Sequence, residues 1–289
     1  MIAGEYAYSS DMSEVPAVAG QQDWIPQDVD ISVPSIARTY DFMLGGAHNF
    51  AADREVGVQI ERAMPGLRQA ARVNRAFLGR AVRFMMAQGI RQFLDIGSGI
   101  PTVGNVHEIA GQVDPACRVV YVDRDPIAVA HSELMLANDD SAAIVRADMR
   151  DPEGIFAAPE ARRLLDLDEP LGLLMLLMLH WVPDESDPMG LLARYRDRLA
   201  AGSYLAITHV TDDDQGEKLT AATGVIKRSK SPDQVTLRSW DQIVPMFGDF
   251  ELVEPGLVGC AMWRPAGPLD ITDNVDMNAL VYAGVGRKP

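Results

Sequence analysis

Five short apolar runs recur between residues 90 and 210: "RQFLDI", "RVVYVD", "AAIVRAD", "LGLLMLLMLH" and "SYLAITHV". They are rich in Val, Ile, Leu and Tyr with little polar alternation, the pattern of strands buried on both faces of a parallel sheet. Helical stretches separate them. Asp125-Pro126, Asp151-Pro152 and Asp187-Pro188 each set a capping carboxylate before a proline suited to the first helical position. Gly89 and Gly202 fall where a helix must stop before a strand. Alternation of this kind predicts an α/β domain with right-handed crossovers. Ahead of it, "LRQAARVNRAFLGRAVRFMMAQG" predicts a long amphipathic helix. Val73, Phe77, Leu78, Val82 and Met85 share one face, which should pack on the sheet. After Val210 the pattern loosens. "TDDDQGEKLTAATGVIKRSK" reads as a polar loop and an exposed helix, and "SWDQIVPMF" as a short helix capped by Ser239. "FELVEPG" and "NALVYAGVGRK" read as a closing antiparallel strand pair.

Composition narrows the class. The chain of 289 residues suits one large domain or a core with a small accessory unit. A net charge of -15 argues against a sequence-nonspecific nucleic-acid binder, because phosphate needs basic surface. The two cysteines, Cys117 and Cys260, form no C-x-x-C, so neither a metal site nor a redox pair is expected. Unclustered thiols fit a reducing cytoplasm. The longest apolar stretch, Leu171 to Val182, falls short of the roughly 20 residues that span a bilayer. The acidic N-terminus lacks the basic start and apolar run of a signal peptide, and residues 1–30 read as a mobile tail.

The candidate chemistry begins at "QFLDIGSGIPTVGNVHEIA", a strand, a glycine turn and a helix. Such a turn lets a ligand approach the backbone and exposes helix N-terminal amides. The third glycine of G-x-G-x-x-G is missing, since Thr102 takes its place, which counts against a dinucleotide fingerprint. Asp95, two positions before Gly97, would repel a pyrophosphate and favour an ammonium. S-adenosylmethionine has that ammonium, a sulfonium, and no phosphate. Asp123 ends the next strand, where an acid can accept ribose hydroxyls. Asp148 ends the one after, placed to accept from an adenine amino group. Three acids at successive strand ends form a row on the carboxyl edge, where α/β ligands bind. Gly97, Ser98, Gly99, Arg124, Met149 and His180 complete the candidate cofactor set from the core sheet.

At this point the sequence resembles a bacterial S-adenosylmethionine-dependent methyltransferase family, once catalogued as a domain of unknown function, within the class I methyltransferases. The matching segments include "PSIARTYDFMLGGAHNFAADREV", "PGLRQAARVNRAFLGRAVRFM", "GIRQFLDIGSGIPTVGNVHEIA", "RVVYVDRDPIAVAHS", "LHWVPDESDP", "GSYLAITH" and "VTLRS". The resemblance implies a Rossmann-like α/β fold with strand order 3-2-1-4-5-7-6 and strand 7 antiparallel. It also implies cofactor contacts at Asp95, Gly97, Gly99, Asp123 and Asp148, with S-adenosylhomocysteine as product. It supplies no acceptor.

Methyl transfer from a sulfonium is an in-line displacement in which the protein mainly positions the nucleophile and excludes water. His180 and Trp181, at the end of the fourth strand, are the leading acceptor-side candidates. His180 is the first base candidate and His209, ending the fifth strand, the second. His107 and His131 fall inside predicted helices and read as surface residues. "KRSK", Lys227 to Lys230, reads as a solvated helix end. No D/N-P-P-Y/F motif and no Pro-Cys follow the fourth strand, which with the charge leaves a small-molecule acceptor. The other readings are a regulatory protein that binds S-adenosylmethionine without catalysis and an NAD-dependent oxidoreductase. Asp95 and the missing glycine speak against the latter. Residues 31–66, with "YDFMLGGAHNF" at their centre, are expected to fold back as a helical lid on a methyltransferase domain at 67–289. Arg38, Tyr40 and Asn49 would be its polar contacts to the ligands, and Gly45 and Gly46 would permit the turn or close approach.

Overall fold

The computed structural model describes Pro26, residues 29–102 and residues 104–289. The expected N-terminal tail therefore lies almost entirely outside the described residues. One mixed sheet organises the rest. Its strands are β1 (Gln92–Ile96), β2 (Arg118–Asp123), β3 (Ala142–Arg146), β4 (Gly172–Leu176), β5 (Tyr204–Val210), β6 (Glu251–Leu252), β7 (Val258–Gly259) and β8 (Val281–Arg287). They run in the order β3-β2-β1-β4-β5-β8-β6, and β7 pairs with β8 off this path. β1 to β5 are parallel, and β8 is antiparallel to its neighbours β5 and β6. This is the expected methyltransferase order. The strand anticipated as the seventh is β8, because the two-residue β7 intervenes in the chain.

The helices follow from the capping signals. α1 (Ile36–Leu44), α2 (Ala51–Ala63) and α3 (Leu67–Ala87) precede the sheet. α4 (Val106–Gly111), α5 (Pro126–Leu136), the short α6 (Pro152–Ala157) and α7 (Pro159–Leu164), and α8 (Pro188–Arg196) connect its strands. α9 (Gly216–Arg228), α10 (Trp240–Ile243) and α11 (Val275–Ala279) lie beyond β5. Asp125 accepts from the Ile127 and Ala128 amides, Asp151 from Gly154 and Asp187 from Gly190, so each Asp-Pro pair starts a helix. The Ser239 amide donates to Gln242 Oε1 at 3.0 Å at the start of α10.

Successive side chains of a strand face opposite ways, and the cores divide accordingly. Phe93 packs with Val73, Phe77, Val82 and Met85 of α3 on one face. Leu94 and Ile96 pack with Tyr195 and Phe247 on the other. Burying each such side chain contributes about 1.5–3 kcal/mol, which is why α3 lies flat on the sheet. A third apolar cluster was not foreseen. Met43 of α1, Ile60 of α2, Ala70 of α3, and Leu219, Ala222 and Ile226 of α9 meet in it. α9 is therefore a packed amphipathic helix and not the exposed one its polar surroundings suggested. Its buried side chains recur at 219, 222, 225 and 226, spacings of three, six and seven that form one face. Lys227 and Arg228 do fall exposed in its last turn.

The run "LGLLMLLMLH" is not one strand. β4 ends at Leu176, Leu177 takes φ 55, and Leu179–Trp181 form a 3-10 turn. His180 and Trp181 thus stand on a turn beyond the strand's carboxyl end.

Candidate active site

The carboxyl ends of β1 to β5 open onto a cavity of about 1140 Å³. The described wall comprises the glycine turn, the ends of β2 and β3, the turn after β4, α1, the start of α3, α9 and the 232–236 loop. Single-ligand pockets run to about 300–1,000 Å³, so this space exceeds what one compact ligand needs.

The glycine turn is fixed from below. Gly97 and Ser98 donate their amides to the Val122 carbonyl at 2.7 and 3.1 Å. Gly97 (φ 71) and Gly99 (φ 68) take the left-handed conformation that favours glycine. A Cβ on Gly97 would strike Met178 Sδ at 2.0 Å, whereas one on Gly99 would meet no atom within 4 Å. The turn thus leaves open space at Gly99. The expectation of exposed helix amides does not hold. α4 begins only at Val106, and Glu108 Oε2 already accepts from the Gly104 and Asn105 amides at 2.8 Å.

Asp95 sits in β1 opposite Tyr121 of β2 and Leu174 of β4. It is 5% exposed, and its carboxylate accepts no hydrogen bond from any described residue. Burial raises its pKa to about 7, against the pull of Arg75 and with a further push from Asp123. A buried carboxylate without a partner calls for a cation. Asp123 is held differently. It accepts from the Gly99 and Asp125 amides, each at 2.8 Å. Burial still lifts it to about 6, those two bonds opposing. A carboxylate has about four lone-pair sites, so acceptor capacity remains for hydroxyl groups.

Asp148 reaches the cavity already engaged. It accepts from the Arg150 amide at 2.9 Å and from Arg150 Nε at 2.8 Å. Those bonds hold its pKa below the usual carboxylate range. Arg124 pairs with Asp233 and lies 3.8 Å from Asp148. Met149 lines the cavity, and its carbonyl accepts from the Tyr195 hydroxyl at 2.7 Å.

His180 is buried on the cavity wall with Nδ1 lacking a partner. Burial, then His209 and Arg238, hold it well below the ordinary imidazole value, so the ring is neutral. Trp181 lies beside it, its ring centroid 4.5 Å away and its Nε1 donating to the Leu177 carbonyl at 3.0 Å. His209 is not brought to the wall. It is fully buried, Nδ1 donates to the Val210 carbonyl at 2.7 Å, and Nε2 accepts from Arg238 at 3.0 Å. With both nitrogens engaged and the pKa lowered to about 4, mainly by burial, it has no proton-accepting position left for an acceptor.

The N-terminal helices divide in the same way. Arg38 and Tyr40 reach the cavity wall. Arg38 is held by Asp53 at 3.2 Å and by the Val33 carbonyl at 2.5 Å. The Tyr40 hydroxyl donates to the Ala71 carbonyl at 3.2 Å and accepts from Asn74 at 3.1 Å. Asn49 stands away from the wall, donating to Asp41 at 2.7 Å and to the Gly46 carbonyl at 2.9 Å. The glycine pair belongs to that local knot. Gly45 caps α1 in the left-handed region, and a Cβ on Gly46 would lie 1.9 Å from Asp41 Oδ1. The close approach is to the chain's own Asp41. Nor are His107 and His131 surface residues. Both are half-buried, His107 Nδ1 lying 2.7 Å from the Tyr121 hydroxyl and His131 packing 4.0 Å from the His48 ring.

Two arginines escaped the sequence reading. Arg75 of α3 lines the turn beside Asp95 and Ser98 and spends one hydrogen bond on the Gly104 carbonyl. The polar pair Asn74-Arg75 interrupting an apolar helix face was the available signal. Arg238 is buried and donates to the Leu179 and Val182 carbonyls, to His209 and to Asp184, fixing the turn that carries His180. A loop arginine gives no periodic signal. Among the described residues no cluster of His, Cys, Asp or Glu could hold a metal, and no helix is long and apolar enough to cross a membrane.

The strand order is that of a class I methyltransferase. The chain belongs to the S-adenosyl methyltransferase family, whose model matches residues 22–289. Two solved structures are similar over nearly their whole length. A Thermobifida fusca YX protein assigned as a methyltransferase is 41% identical with a TM-score of 0.85, covering 92% of this chain and 99% of its own. A DUF574 family protein from Streptomyces avermitilis is 38% identical with a TM-score of 0.85, covering 90% and 99%. Comparison with curated proteins gives no match. The cofactor is S-adenosylmethionine and the product S-adenosylhomocysteine.

Proposed function

We propose that this methyltransferase acts on a small molecule held beside the cofactor in the cavity at the carboxyl edge, as a cytoplasmic enzyme. The supporting observation is that cavity itself. At about 1140 Å³ it continues past the acid-lined end into the third apolar cluster, where a second molecule has room.

The residues fit the cofactor. Asp95, buried and unpartnered, would take its ammonium, and Arg75, with donors to spare, its carboxylate. Asp123 retains acceptor capacity for ribose hydroxyls, and the open space at Gly99 admits the ligand against the backbone. Arg124, Asp148 and Met149 would border the adenine, Asp148 sharing its carboxylate with Arg150. Bound there, the cofactor supplies an electrophilic methyl on a sulfonium. The chain's own residues align the acceptor and exclude water. His180, kept neutral at the wall, would take the acceptor's proton where one must leave. Residues 31–66 would act as the lid, with Tyr40 and Arg38 closing the wall and Asn49 holding the lid's own turn.

The test uses methyl-labelled S-adenosylmethionine with a cell extract separated into small-molecule and macromolecular fractions. Label is expected in the small-molecule fraction. Transfer confined to protein or RNA would overturn the proposal.

A further inference from the structure

The acceptor end of the cavity has a chemistry of its own. Met43, Ile60, Leu67, Trp181, Leu219 and Ile226 bring apolar side chains to the wall from α1, α2, α3, the turn after β4, and α9. The arginines of the described wall each stand beside an acid. Arg38 is paired with Asp53, Arg124 with Asp233, and Arg150 with Asp148. Arg75 stands with Asp95 at the glycine turn, the cofactor's end. Asp30 accepts from Ser32, and Asp125 from Ser35 and the α5 amides. Glu185 is exposed at the rim, and His180 is neutral. A charged group entering the apolar end would meet no charged side chain among those six and would lose its hydration, a cost of several kcal/mol per ion.

We infer that the methyl acceptor is an uncharged, largely apolar, ring-bearing molecule that lies between α1, α9 and Trp181. This rests on the small-molecule reading above. The arrangement supports it twice over. Apolar walls stabilise a neutral skeleton by burying it. The Trp181 ring, tethered by its Nε1 to the Leu177 carbonyl, offers a fixed aromatic surface. A carboxylated or ammonium-bearing acceptor is selected against by the hydration its charge would lose among those apolar side chains.

The experiment loads the full chain with S-adenosylhomocysteine and titrates it by calorimetry with three probes sharing one skeleton: naphthol, naphthoate and naphthylmethylammonium. Naphthol is expected to bind at least about tenfold more tightly than either ion. Ala222→Phe, which fills the apolar end, is expected to abolish naphthol binding with S-adenosylhomocysteine affinity retained. Should that variant not fold, Thr223→Phe, at a half-exposed wall position, serves in its place. Equal or tighter binding of a charged probe overturns the inference. So does S-adenosylhomocysteine binding with no naphthol binding, or undiminished naphthol binding by the filled variant. Failure of S-adenosylhomocysteine itself to bind would overturn the cofactor reading as well.

Discussion

Asp95→Asn removes a charge at the one buried wall acid that accepts no hydrogen bond from a described residue, and it should move stability and binding in opposite directions. Burial raises the Asp95 pKa from 3.8 to about 7 in the empty protein. A raised folded-state value means that the contribution is fully present below the unfolded value and is lost as pH rises through the folded one. The empty wild-type protein is therefore penalised most above pH 7. The interval from 3.8 to about 7 is worth at most about 4 kcal/mol. Asn carries no such penalty, so the variant should melt higher at about pH 8, by about 2–4 °C per kcal/mol recovered. Near about pH 4 the two should converge. Binding runs the other way. The cofactor's ammonium needs the carboxylate, and at about pH 6 only about one-tenth of the empty sites carry it. Wild-type affinity should fall about tenfold between about pH 8 and about pH 6. Asp123, at about 6, adds to the loss at the lower end. The Asn variant should bind about 1.5–3 kcal/mol more weakly at about pH 8, from the lost charge-assisted contact, with most of the pH slope gone. Calorimetry across the range, in buffers of different ionisation heat, reads both affinity and proton release. A wild-type affinity that is flat between those pH values, or an Asn variant that binds as tightly as wild type, would refute the reasoning.

Three further changes probe the surroundings. His180→Gln should lower the methyl-transfer rate by about a hundredfold or more while S-adenosylmethionine affinity stays within a few-fold, for an acceptor that must lose a proton; an unchanged rate removes His180 as the base. Arg238→Ala leaves the Leu179 and Val182 carbonyls and His209 Nε2 without their donor. It should cost at least about 2 kcal/mol in denaturant unfolding, and an unaltered midpoint would contradict the clamp. Gly46→Ala drives a methyl into Asp41 and should cost about 1–3 kcal/mol. Amide exchange at His48 should quicken while cofactor affinity holds, and a specific loss of cofactor binding would return the glycine pair to the ligand site.

The strand pattern, the Asp-Pro helix starts and the row of Asp95, Asp123 and Asp148 were legible in the chain because each is local. Burial on two faces, capping and strand-end position are written into a few neighbouring residues. The order of the sheet came through the family resemblance, since pairing between distant strands leaves no local trace. The tertiary structure alone decided which polar groups stay available. His180 and His209 look alike in sequence, each ending an apolar run. Only packing shows that Arg238, far along the chain, occupies His209 and leaves His180 on the wall. Gly46 marked a turn or a close approach, because a glycine records that something comes close and not what. The something is Asp41, five residues back. The apolar end of the cavity, assembled from α1, α2, α3 and α9, exists only where four separate helix faces converge. Nor does any spacing along the chain foretell that Arg124 at the cavity's other end pairs with Asp233.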